Sequence, residues 1–306
     1  MCTVATTVAF VLVPRLHLLD LAGPAQVFAT AADQGMHYRL TYVAETDEVA
    51  SAQGLAVRAG RVWPELTPAD LILVPGWRSP GRDPYVPALG AQMVARLRAH
   101  HSAGGMVASV CSGADALGQA GLLDGRRFTT HHELADQIAG RYPRAKLVRG
   151  VLFVVDDLVL TSAGIASGID LALHLVALVH GPRAAARVAR SMVVFARRNG
   201  DELQDSAMLR HRAHLSEVAH QVQDVIDARY GEPLRLADLA RSVCVSERTL
   251  SRVFTDATGL TPLRYQQPLR VERAENLIGH GETVESAAHA VGFTDPRMLR
   301  RLRARV

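Results

Sequence analysis

Strand-like segments crowd the first two thirds of this 306-residue chain and then stop, and that break limits every fold it can adopt. Residues 8–13 form an unbroken apolar run, as a strand covered on both faces should. Residues 21–32 follow with helical spacing, 38–43 alternate, and 71–74 are a second buried run closed by Pro75 and Gly76. Residues 88–101 read as amphipathic helix, 106–110 as a strand running into Cys111, and 112–120 as helix. Two more strands at 151–155 and 158–161 precede a helix at 169–180. This alternation predicts an α/β fold, a parallel sheet flanked by helices. Beyond about residue 195 only helices are predicted, at 215–230, 236–243, 246–257, 262–278, 284–290 and 296–303. The expected organisation is a sheet domain over 1–195, a linker over 196–213 and an all-α domain over 214–306.

The helical domain repeats itself. Leu239-Ala240-Arg241-Ser242-Val243-Cys244-Val245-Ser246 aligns with Ala287-Ala288-His289-Ala290-Val291-Gly292-Phe293-Thr294, 48 positions on. Each copy has a small residue (Ala240, Ala288) where two helices cross and a turn position (Cys244, Gly292) that calls for a left-handed backbone. A hydroxyl residue (Ser246, Thr294) then opens the next helix. This is a helix-turn-helix pattern, twice. Cys244 at such a turn should carry strain, and Pro268 inside the joining helix should kink or break it.

Composition narrows the function classes. At 48% hydrophobic and 21% charged, the chain is not a disordered one. Cys2, Cys111 and Cys244 are too few and too scattered for a disulfide framework or zinc cluster. They read as reduced thiols, Cys2 at the surface and Cys244 buried in its turn. The start lacks the basic segment of a secretory leader. Residues 163–179 carry Asp170 and His174 and read as a buried helix, not a membrane span. A cytoplasmic protein without a membrane partner is expected. Net charge is a modest +4, but the last ten residues hold Arg297, Arg300, Arg301, Arg303 and Arg305 with no acid, which points to an anionic partner. His211, His214 and His220 admit a metal reading, but with no Cys or carboxylate to complete a ligand set they read as a solvated helix face. No phosphate-binding glycine loop is present. Neither a metal nor a cofactor is expected.

The stretches LADLARSVCVSERTLSRVFTDATGLTPLRYQQPLRVERAENLI and VESAAHAVGFTDPRMLRRL resemble the AraC family of bacterial transcription regulators. The resemblance implies a DNA partner, with recognition helices at 246–255 and 295–303 entering successive major-groove segments. It implies that Ser246, Arg248, Thr249, Arg252, Arg297, Arg300 and Arg301 meet phosphates or base edges. Family members continue past the second recognition helix with a further turn and helix, so a thinly supported second unit is expected here. Residues 18–28 (LLDLAGPAQVF), 73–81 (LVPGWRSPG), 108–132 (ASVCSGADALGQAGLLDGRRFTTHH) and 161–175 (TSAGIASGIDLALHL) resemble, in that order, the ThiJ/PfpI family. That family's sheet is like that of class I glutamine amidotransferases. Together the two halves resemble GlxA-type regulators. This implies a sensing domain for a small nitrogenous effector ahead of the DNA-binding domain. A homodimer is expected, because one such module reads too few base pairs for strong selectivity.

Cys111 stands between a strand and a helix, so its thiol is expected at a helix N-terminus. There the partial positive charge favours thiolate and backbone amides can hold an anion. Gly113 is expected to permit the tight turn. The resemblance places Asp20 against Cys111, its pKa raised by a neighbouring thiolate and a proton shared between the two. It makes His131, with His132 as the alternative, the third member of the set. Gly76, Trp77, Ser112 and Gly113 are expected to bind the ligand, Trp77 as an aromatic wall. Peptidase-like members have a histidine directly after the cysteine; Ser112 stands there, which argues against proteolysis. Cys-Ser-Gly with Asp-Leu-Ala-Gly-Pro is closer to isonitrile hydratases, which hydrate an isonitrile to an N-substituted formamide. Three roles for Cys111 stay open: a pocket or redox-sensing residue without turnover, the nucleophile of a hydratase or hydrolase with a degenerate DNA-binding tail, or a structural relic.

Overall fold

The computed structural model describes residues 5–78, 89–194, 200–201, 204, 211–212, 214–279 and 281–304. Cys2, the end of the motif at 73–81, most of the expected linker and Arg305 lie outside the described residues. The chain divides into two compact units, Met1–Gln204 and Asp205–Val306.

The first unit runs β1 (Thr6–Val11), α1 (Leu18–Asp33), β2 (Tyr38–Val43), β3 (Glu48–Ala50), β4 (Ala56–Arg58), β5 (Leu71–Val74), α2 (Ala91–Ser102) and β6 (Met106–Val110). It continues with α3 (Ala114–Gln119), β7 (Arg127–Phe128), α4 (Ala135–Arg141), β8 (Lys146–Leu147), β9 (Phe153–Asp156), β10 (Val159–Ser162), α5 (Ser167–His180) and α6 (Pro182–Ser191). Six strands join in the order β2-β1-β5-β6-β10-β9, and only β9 is antiparallel. β3 with β4, and β7 with β8, form two small separate ladders.

Side chains alternate across this sheet, as the period-two pleat requires. Val8 and Phe10 of β1 enter an apolar layer shared with α1, α5 and α6. Ala9 and Val11 enter the opposite layer with α2, α3 and α4. A strand buried on both sides therefore reads as a continuous apolar run. α5 lies in the core, with Asp170 only 3% exposed, and among the described residues no helix is long and apolar enough to cross a membrane. Gln204 falls within the expected linker by number but belongs to the sheet unit. Its Nε2 donates to the carbonyls of Thr130 and Val151, both at 2.9 Å, and its Oε1 accepts from His132 N at 3.0 Å.

The second unit contains α7 (Glu217–Ala228), α8 (Leu236–Ser242), α9 (Glu247–Thr258), α10 (Pro262–Gly279), α11 (Val284–Ala290) and α12 (Pro296–Arg303). α8 with α9 and α11 with α12 are the two helix-turn-helix copies, each with its own apolar core. Ala240 and Ala288 are buried at the two crossings. Ser246 opens α9 by accepting a hydrogen bond from Thr249 N at 3.1 Å. The expected hydroxyl cap of the second copy shifts by one residue, since Asp295 rather than Thr294 caps α12, accepting from Arg297 N at 2.8 Å. A carboxylate satisfies the free amides of a first turn at least as well as a hydroxyl.

Two expectations about strain meet different ends. α10 runs unbroken through Pro268 from Pro262 to Gly279. Proline gives up one backbone bond there, and buried Tyr265, Gln266, Leu269 and Ala274 on both sides hold the helix together. Cys244 does adopt a left-handed backbone, with φ 55°, matching Gly292 at φ 86°. It is exposed, however, and not buried as the sequence suggested. Open space around the turn is what lets a Cβ stand there.

Candidate functional site

The C-terminal ends of β5 and β6 and the first turn of α1 converge at one edge of the sheet, where ligands gather in open α/β folds. Cys111 leaves β6 with φ 56°, a left-handed conformation costing a non-glycine residue about 1–3 kcal/mol. The turn that follows is Cys111–Gly113, one turn of 3-10 helix, before α3 begins at Ala114. Gly113 has ordinary helical dihedrals, so it does not supply the sharp backbone expected of it; the cysteine does. Glycine is needed at 113 because a Cβ would collide with the Val74 carbonyl.

Asp20, fully buried, lies beneath this turn. Its Oδ1 accepts from Ile165 N at 2.7 Å. Among the described residues its Oδ2 has no partner with hydrogen-bond geometry, and it faces Gly76 and Cys111. A Cβ on Gly76 would collide with Oδ2 and stand 2.7 Å from Cys111 Cβ. Gly164, at φ 110°, closes the other side, where a Cβ would stand 2.9 Å from the Cys111 sulfur. Gly76 and Gly164 are thus walls that let two other side chains meet.

The electrostatics differ from the sequence expectation. The Cys111 thiol, 5% exposed, is pushed up to about 12, first by burial and then by the Asp20 carboxylate. Two unfavourable effects outweigh a single short turn of amides, and the thiol stays protonated. Asp20 does rise, from 3.8 to about 6, but the leading cause is burial, not a neighbouring thiolate. The amides of Ile165 and Gly76 and the Cys111 thiol hold it back from rising further. At neutral pH the proton therefore sits on sulfur and the charge on oxygen.

His131 is not brought into this pair. Its ring accepts from Glu133 N at 3.4 Å and lies 4.3 Å from the His132 ring, tilted 30° to it. Among the described residues no hydrogen bond joins it to Cys111. Burial and His132 lower its pKa, so it is neutral. Thr130, one residue earlier, does reach the elbow, donating to the Cys111 carbonyl at 2.8 Å. Ser112 is tied to Trp77: its Oγ donates to Trp77 O at 2.8 Å and accepts from Trp77 N at 2.7 Å. It fixes the backbone of Trp77, whose half-buried ring packs against the α2–α4 layer. His17, half-buried with its pKa lowered by burial, Arg78 and His131, stands at the same edge and was missed from the sequence, as were Ile165 and Gly164.

The second unit offers an arginine-bearing surface. Arg248 and Arg252 are exposed on α9, and Arg297, Arg300 and Arg301 on α12. Arg300 is paired with Glu285 at 3.0 Å, and Arg303 with Glu275. Among the described residues Arg248, Arg252 and Arg297 have no acidic partner. Ser246 and Thr249 sit at the opening turn of α9, their hydroxyls 2.8 Å apart. The three histidines are half-buried and hydrogen-bonded, not the solvated face expected: His214 and His220 stack at 4.3 Å, His220 Nε2 lies 2.8 Å from His214 O, and His211 Nδ1 lies 3.3 Å from Thr258 O. Among the described residues no group of three or more metal-ligating side chains occurs.

Comparison with known proteins matches both units. The DJ-1/PfpI family matches residues 6–178 and a helix-turn-helix domain matches residues 239–306. The HTH-type transcriptional regulator CdhR of Pseudomonas aeruginosa is 30% identical over 259 residues, which is 84% of this chain and 75% of that protein. An isonitrile hydratase of Pseudomonas putida is 33% identical over 174 residues, 56% of this chain and 71% of the hydratase. The crystal structure of an AraC family transcriptional regulator from Pseudomonas putida superposes with a TM-score of 0.52 at 25% identity, covering 61% of this chain and 99% of that one.

Proposed function

Because the chain belongs to the DJ-1/PfpI family and carries an AraC-type helix-turn-helix unit behind that domain, it is a transcriptional regulator, and we propose that a small nitrogenous effector bound near Asp20 and Cys111 controls its hold on DNA. The DNA-binding half of this reading is carried by one observation: Arg248, Arg252 and Arg297 stand exposed on α9 and α12 without acidic partners among the described residues. Phosphates supply what is missing.

The effector half draws on Asp20, ionised at neutral pH and aimed through its Oδ2 at the Gly76 amide and the Cys111 thiol. Such a group favours a proton donor or cation, as an amine provides. Trp77 and His131 flank the same edge. The protein acts as a homodimer in the cytoplasm, and binding shifts the placement of its paired DNA-reading units.

A second reading, turnover at Cys111, draws on the kinship with isonitrile hydratase and on the Asp20 pKa of about 6, suited to moving a proton near neutrality. A buried, protonated thiol without a hydrogen-bonded histidine favours binding over turnover. It also disfavours redox sensing, which needs an accessible thiolate. The test is the salt dependence of DNA binding by fluorescence anisotropy. Each phosphate contact removed lowers the slope of log affinity against log salt by about 0.9, so Arg248→Ala and Arg297→Ala should each flatten it by about that much. Arg300→Ala, whose guanidinium is committed to Glu285, should change it less. Equal slopes in all four proteins would sink the assignment.

A further inference from the structure

The two helix-turn-helix copies are joined by more than α10. Gln266 and Arg270, one turn apart on that helix, both reach the segment 230–232 that links α7 to α8 in the first copy. Gln266 Nε2 donates to Tyr230 O at 2.8 Å and to Glu232 O at 2.7 Å. Arg270 Nε donates to Tyr230 O at 2.6 Å, and its Nη2 to Glu232 O at 2.8 Å.

The same guanidinium also grips the second copy. Its Nη1 donates to Gly292 O at 2.9 Å, and its central carbon lies 5.6 Å from the centre of the Phe293 ring. Gly292 rests so closely on the Gly231 carbonyl that a Cβ would collide with it. Tyr230 packs against both apolar cores. Among the described residues Arg270 has no carboxylate partner, so the half-buried cation is satisfied by three backbone carbonyls. Burial holds its pKa below the usual arginine range. Neutral partners give less attraction than a carboxylate would, but the guanidinium is a rigid planar fork. Three carbonyls held in one such fork fix an angle.

We propose that Arg270, backed by Gln266, is the positioning residue that sets the angle and separation of α9 and α12, and through them the half-site spacing this protein accepts on DNA. The proposal rests on the DNA-binding reading above. It also accounts for the difference between the two turns. Cys244 meets no such contact and tolerates a side chain, whereas Gly292 is pressed against the first copy and does not.

The experiment uses full-length protein and a duplex selected by the wild type from genomic fragments. Binding is measured by fluorescence anisotropy to that duplex, to its α9 half alone, and to versions with about five base pairs, half a turn of B-DNA, inserted between the halves. Wild type should lose about tenfold or more on the insertion, as for a lost base contact. Arg270→Gln should bind the single half as wild type does while losing most of that spacing penalty, Gln266→Leu should do so more weakly, and Arg270→Lys should restore part of it. Thermal unfolding of each variant is followed in parallel, so that a variant that fails to fold is replaced by the milder one. An unchanged spacing penalty in folded Arg270→Gln would overturn the clamp alone. So would an equal loss on single half and full site, which marks a residue of stability only. Wild type that selects no DNA would overturn the regulator reading and the spacing role with it.

Discussion

Replacing Asp20 with Asn should remove a pH-dependent weakness from the sheet unit. Asp20 titrates at about 6 in the folded chain against 3.8 ordinarily. At about 1.4 kcal/mol for each tenfold change in proton affinity, that difference amounts to about 3 kcal/mol. The sign follows from where the proton is held. Between 3.8 and about 6 the folded protein keeps a proton that the unfolded chain has released, so stability falls as pH rises through that window and is flat above it. Asp20→Asn does not titrate, and its amide oxygen can still accept from Ile165 N. The wild type should therefore lose about 2 kcal/mol relative to the variant between about pH 4.5 and 7.5, the remainder lying at lower pH. Comparing the two proteins across pH cancels any constant packing difference. Both tryptophans, Trp63 and Trp77, lie in the sheet unit, so urea unfolding followed by their fluorescence reports on that unit. A wild-type-minus-variant difference that stays constant with pH, or that moves in the wild type's favour as pH rises, would refute the burial argument.

Thiol reactivity separates the two described cysteines. Cys244 is exposed, whereas the buried Cys111 thiol lies about a thousandfold further from ionisation than an ordinary one. Alkylation at neutral pH should modify Cys244 in the folded protein and reach Cys111 only on unfolding, read by peptide mass spectrometry; fast labelling of Cys111 would contradict its placement. The two left-handed turns should respond oppositely to exchange. Cys244→Gly should raise the melting free energy of the helical unit by up to about 1 kcal/mol, while Gly292→Ala should cost about 2 kcal/mol or more, since it adds a collision with Gly231 to the backbone strain.

Legibility in the sequence followed the range of the physics. Strands β2, β5 and β6 could be read to the residue because both faces are buried or alternate strictly, a local signal. α6 left no trace at that level, since its buried face is Ala184, Ala185, Val188 and Ala189, side chains too small for an apolar stripe. α4 and the small β3–β4 and β7–β8 ladders are too short to show a period. In the site, Asp20, Gly76 and Cys111 could be named from motifs, and they do meet. The Ile165 amide that holds Asp20 lies 145 positions away in the chain, and no local pattern announces it. Sequence alone gives the Cys111 thiol the wrong charge state for a related reason. A helix N-terminus is visible in sequence, whereas the burial and the buried carboxylate that overrule it exist only in the fold. Cys244 reads from sequence as a small residue buried in its turn, whereas that turn opens to solvent.

If this chain reads DNA through α9 and α12, it should select a defined sequence. Selection of genomic fragments on the purified full-length protein, repeated across salt concentrations, tests it most directly. Enrichment of one bipartite motif is expected, with affinity falling steeply as salt rises. Weak binding without any enriched motif would contradict it and turn attention to chemistry at Cys111.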